Sequence, residues 1–102
     1  MSFETLTLEA GERGEVVLYP EGDVRDPRVV VEGSDYFVVE EVLAGNVQAP
    51  RVDVRVTRRG EWSAVVRDVS CGPETPLKVV VRNTCGGRIS LRATVTSEED
   101  RN

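Results

Sequence analysis

The stretch from residue 26 to 48, DPRVVVEGSDYFVVEEVLAGNVQ, constrains this chain more than any other. It holds two apolar blocks, 29–31 and 36–39, joined through Gly33 and Ser34 and closed by Ala44, Gly45 and Asn46. β-Branched and aromatic residues this dense, punctuated by Gly, Ser and Asn, predict a β-hairpin. Val29, Val30 and Val31 are all apolar, whereas a strand with one wet face alternates. Both faces of that strand therefore want cover. One can be buried in the chain's own core, and the other needs a second layer or a partner.

The rest of the chain carries the same two-residue period. In 51–58, RVDVRVTR, Val52, Val54 and Val56 point one way while Asp53, Arg55 and Thr57 point to water. In 88–96, RISLRATVT, the inward set is Ile89, Leu91, Ala93 and Val95. Further strands are expected at 5–9 (Leu6 and Leu8 inward), at 15–19 (Val16 and Leu18) and at 61–69 (Trp62, Ala64 and Val66). Residues 77–83 are again apolar on both faces, with Val80 opposite Leu77, Val79 and Val81. Loops with Pro, Gly and acidic residues fall at 20–27 and 70–76, and 46–50 is an irregular connection ended by Pro50.

No stretch sustains a helical period. About eight antiparallel strands at roughly ten-residue spacing predict an all-β fold, a two-sheet β-sandwich or compact jelly roll. The expected domain is 1–96, and 97–102 reads as an acidic C-terminal tail.

At 102 residues the core of such a domain is thin. Thirteen basic against eighteen acidic side chains give a net charge of −5. That balance, without a basic stripe, argues against nucleic acid as the main partner and against an anionic membrane surface. The first residues show no basic region followed by an apolar one, so the expectation is synthesis in the cytoplasm without a signal peptide.

Chemistry has little to stand on. The absence of histidine removes Ser-His-Asp and Cys-His arrangements. Cys71 and Cys85 sit near opposite ends of the 77–82 strand, so two reduced thiols are expected, and two Cys without His make no zinc site. Glu40 and Glu41, adjacent in a strand, should point to opposite faces. Glu21, Asp23 and Asp26 form the acidic cluster of a loop and are candidate loop contacts, but the spacing is not that of a calcium loop. No cofactor, metal or catalytic residue is assigned. The candidate self-association surface is the outward set Val30, Val38 and Val80, standing where alternation would place polar side chains.

Residues 36–48, YFVVEEVLAGNVQ, resemble an F-x-V-x-x-(I/V)-x-V-G-N-x-x-Q segment of small β-rich proteins encoded by phages and prophage-like regions, with Ala44 in place of the usual Val. LKVVVRNT at 77–84 and RISLRA at 88–93 are similar to their closing pair of strands, in which an Asn after a Val-rich strand opens the last turn. The resemblance implies a virion structural component, either a capsid-forming jelly roll or a capsid-decorating protein, and no catalytic residue. The function expected is thus non-enzymatic: a virion structural protein that self-associates into a symmetric oligomer and contacts other virion proteins. The alternative is a monomeric β-sandwich binding module that recognises a protein or small ligand through its loops.

Overall fold

The computed structural model describes residues 2–97. They form β1 (Ser2–Leu8), β2 (Arg13–Leu18), β3 (Val24–Arg25), β4 (Pro27–Gly33), β5 (Phe37–Ala44), β6 (Val47–Gln48), β7 (Arg51–Arg58), β8 (Glu61–Arg67), β9 (Ser70–Cys71), β10 (Leu77–Asn83) and β11 (Ile89–Ser97). Eight are full strands and three are two-residue pieces. The expected all-β class holds: a five-stranded sheet, β1-β11-β4-β8-β7, packs on a four-stranded one, β2-β10-β5-β6, as a two-sheet β-sandwich with antiparallel pairing. The pair β3-β9 closes one end. Among the described residues no helix is long and apolar enough to cross a membrane. Ser97 still belongs to β11, so the strand runs one residue into the expected tail, and residues 98–102 lie outside the described residues.

The core forms between the inward faces that alternation marks. Leu8, Val29, Val31, Trp62, Ala64, Val66, Ile89, Leu91, Ala93 and Val95 come from the larger sheet. Val16, Leu18, Val42, Leu77, Val79 and Val81 come from the smaller one. A fully buried valine contributes roughly 1.5–2 kcal/mol, so the spine of β10 alone is a large part of what holds the layers together.

The predicted hairpin over 26–48 is not formed. β4 is a central strand between β11 and β8, while β5 pairs with β10 and β6 in the other sheet. Gly33 and the three residues between the strands cross from sheet to sheet. Their backbone groups are taken up by other loops: the Gly33 N–H donates to Gly60 O at 2.9 Å and the Ser34 N–H to Ser90 O at 3.1 Å. Gly33 suits this crossing, since a Cβ there would lie 2.6 Å from Leu91 Cδ2 and 3.1 Å from the Phe37 ring, and the core side chains would have to shift to admit it. The three-valine run is therefore central to a sheet. Its inward pair, Val29 and Val31, is fully buried, and Val30 is half-buried on the outward face.

Two β-bulges change the expected facing of side chains. In β7 the register slips between Val54, opposite Ala64, and Val56, opposite Ser63. Directly paired residues share a face, so Val56 turns outward and the expected Val52-Val54-Val56 stripe is broken. In β5 the slip leaves Glu40 between Val39, opposite Val81, and Glu41, opposite Val80. Glu40 and Glu41 thus share the outward face, correcting the expectation that they point apart; the extra residue of a bulge absorbs one step of alternation.

Asn83 is completely buried at the end of β10. Its Nδ2 donates to Leu8 O (3.1 Å), Glu9 O (2.9 Å) and Gly87 O (2.8 Å), one hydrogen being shared, and its Oδ1 accepts the Cys85 N–H at 2.7 Å. Asn83→Ala leaves these buried groups unpaired and is expected to cost on the order of 3 kcal/mol. Thermal unfolding beside Thr84→Ala, an exposed neighbour expected to stay within about 0.5 kcal/mol, checks it. Equal losses at the two positions refute the role assigned to Asn83.

Candidate functional site

The three outward valines do not form one surface. Val30 lies on the five-stranded sheet, opposite Thr94 on one side and Ser63 on the other. Half-buried Val56 and buried Val65 share that face with it. It is a small dry patch: Ser63 Oγ and Arg28 Nε are both shielded from water and have no hydrogen-bond partner.

Val38 and Val80 lie on the outward face of the four-stranded sheet. Val80 is only 6 % exposed in the single chain. It sits between Glu15 of β2 and Glu41 of β5, with Arg13 beside them, so the chain itself supplies the cover that the sequence reading assigned to a partner. Next to it Glu40 accepts from Arg13 Nε at 2.7 Å and from Arg82 Nε at 2.8 Å, tying β2, β10 and β5 together. The Arg82 hydrogen bond, outweighing desolvation and joined by the Arg13 hydrogen bond and the charges of both guanidinium groups, holds the Glu40 carboxyl below its ordinary 4.5. Val38 is 45 % exposed.

The candidate loop contacts also separate. Asp26, at φ 51°, is part of the frame: its Oδ1 accepts the N–H of Asp68, itself at φ 62°, and its own N–H donates to Val69 O. Asp23 lines an open hollow of about 570 Å³ with Gly22, Ser70, Cys71, Gly72, Pro73, Glu74 and Thr75. Its carboxylate rests where a Cβ on Gly72 would stand, which accounts for glycine there. Glu21 is exposed beside this hollow but does not line it. Among the described residues no three His, Cys, Asp or Glu come together as a metal site. Cys71 and Cys85 are free thiols, and burial pushes Cys71 up to about 11, away from any nucleophilic role.

A feature the sequence reading missed lies along one side of the sandwich. β6 covers β5 only at Leu43 and Ala44, with one further bond from the Ala49 N–H to Val42 O. Phe37 to Glu41 have β10 on one side and, among the described residues, no strand on the other. Behind this bare edge the layers gape. A hollow of about 230 Å³ is floored by Val39, Val42, Ala49, Val52, Val54 and Trp62 and rimmed by Glu40, Glu41 and Gln48. Val54 is paired with the core residue Ala64, yet it stands 50 % exposed because nothing of the smaller sheet lies over it. The opposite side is shut: a Cβ on Gly14 of β2 would lie 2.8 Å from Leu8 of β1. The only sequence signal for the opening was the shortness of the segment between Gly45 and Pro50.

No known family model, curated protein or solved structure matches this chain.

Two measurements test these placements. Val80→Glu puts a carboxylate between Glu15 and Glu41 and is expected to destabilise the monomer by on the order of 3 kcal/mol in urea unfolding; a loss within error would mean that Val80 is not covered by its own chain. Glu40, with its pKa depressed in the folded state, contributes stability that is present above 4.5 and lost as pH falls through the folded value. Glu40→Gln is accordingly expected to flatten the decline of the melting midpoint below pH 4.5, and an unchanged slope would contradict the assignment.

Proposed function

We propose that this chain is a non-enzymatic structural subunit that self-associates into a symmetric oligomer, as a capsid-forming or capsid-decorating component of a virus-like shell. The observation that carries the reading is the side opening, where inward-facing Val54 stands exposed and Val39 and Val52 are only partly covered beside a bare strand edge. Apolar core residues left open at a sheet edge favour association, because a second strand both pairs the backbone and covers the side chains. The virion assignment draws on the resemblance of 36–48 and 77–93 to phage-encoded β-rich proteins. No catalytic step is assigned to a chain without histidine and with Cys71 held as a thiol.

The hollow beside Asp23 and Gly72 favours a second reading, a monomeric module that binds a ligand through its loops. Mass in solution separates the two. The structural reading expects sedimentation at a multiple of 11.2 kDa, with electron microscopy of any large fraction showing symmetric particles. A monomer up to millimolar concentration overturns it and leaves the binding module.

A further inference from the structure

Resting on the self-associating reading, we propose that the bare edge of β5 pairs antiparallel with the same edge of a second copy about a twofold axis at Val39, joining the two four-stranded sheets. Six large apolar side chains stand exposed among the described residues: Phe3, Tyr19, Tyr36, Val38, Val47 and Val54. Four of them, from Tyr36 to Val54, lie on or next to β5, β6 and β7, so the exposed apolar surface is gathered at this side rather than scattered.

A strand is the occupant that fits, because Phe37 to Glu41 offer backbone donors and acceptors in the plane of the sheet as well as an apolar hollow behind it. Residues 98–102, EEDRN, carry no apolar side chain to fill the hollow, and their net charge has the sign of Glu40 and Glu41 on its rim. A second copy of β5 meets both needs. With the axis at Val39, Glu40 falls opposite Val38 of the partner subunit, both on the outward face, and the bulge carries Glu41 out of the regular register, so no like charges stand directly opposite across the pair. Val39 of each copy closes the mouth of the hollow in the other, and the two openings become one apolar seam. This arrangement is isologous, each subunit giving and receiving the same edge. The bare edge of five residues spans about 17 Å, which places the pair at the weak end of the interface range, where concentration sets its population.

The test combines sedimentation over a micromolar to millimolar series with amide exchange and cross-linking. Expected are a rise in mass with concentration and slowed exchange at Phe37 to Glu41 in the associated form. In a Cys85→Ser background, Val39→Cys should oxidise to a covalent dimer, since paired residues at an axis bring their Cα atoms within disulfide range. Thr84→Cys in the same background should remain monomeric. Val54→Lys, at a half-exposed position, should abolish association while leaving the melting midpoint of the subunit unchanged. Association without protection at Phe37 to Glu41 and without the Val39→Cys dimer overturns the strand pairing and leaves self-association through another face. A wild-type monomer at every concentration overturns both. Should Val54→Lys fail to fold, exchange in the wild type and the Val39→Cys cross-link still decide the matter.

Discussion

Two chain crossings at one end of the sandwich depend on a single buried amide. β1 leaves the five-stranded sheet to become β2 of the four-stranded one, and β10 returns from the smaller sheet to become β11 of the larger. Asn83 stands between the two connections. Its side chain takes the carbonyls of Leu8 and Glu9 on one and of Gly87 on the other, while its backbone exchanges bonds with Gly11 and Glu12. A loop carbonyl turned into a dry interior is costly unless it is paired. With Asn83 in place both loops fold inward over the end of the core, and the strands that follow leave in fixed directions. The pairing of β1 with β11 and of β2 with β10 places their inward residues face to face.

From that clamped side the sandwich opens toward the other. Near β1 and β2 the sheets approach so closely that Gly14 leaves no room for a Cβ. Near β5 and β7 the smaller sheet runs out of strand, since β6 is only two residues long and Pro50 follows. Both bulges fall in the strands that flank this opening, and both bring a charged side chain, Glu40 or Arg55, into the extra position. Bulges and charges are the usual means of discouraging indiscriminate pairing at an edge. In β5, however, the Glu40 carboxylate is turned outward and held by Arg13 and Arg82. The apolar inner side of the strand, with Val39, is left available. The edge is guarded on one face and open on the other, which suits a specific partner better than an arbitrary one.

The sequence by itself determined the class of fold and most of its core. Alternation in 77–83 and 88–96 settles which side chains are inward, because side-chain facing in a strand is local, with a period of two. The fully apolar runs at 29–31 and 79–81 likewise marked strands that want cover on both faces, while their central places in the two sheets came only with the pairing. An Asn closing a valine-rich strand was visible as a pattern, but its four hydrogen bonds were not.

Tertiary structure decided the rest. The turn chemistry of Gly33 and Ser34 is that of a hairpin, and only the competing bonds from Gly60 and Ser90 show that the chain crosses to the other sheet. The bulges at Glu40 and Arg55 arise from register with β10 and β8, so no reading of β5 or β7 alone places Glu41 or Val56 on the correct face. Val80 looked like a residue in need of a partner until the long side chains of neighbouring strands were seen to cover it. The side opening belongs to no residue at all. It is the difference between five strands in one layer and three and a stub in the other, and strand number per layer is a property of the assembled sheets rather than of any segment.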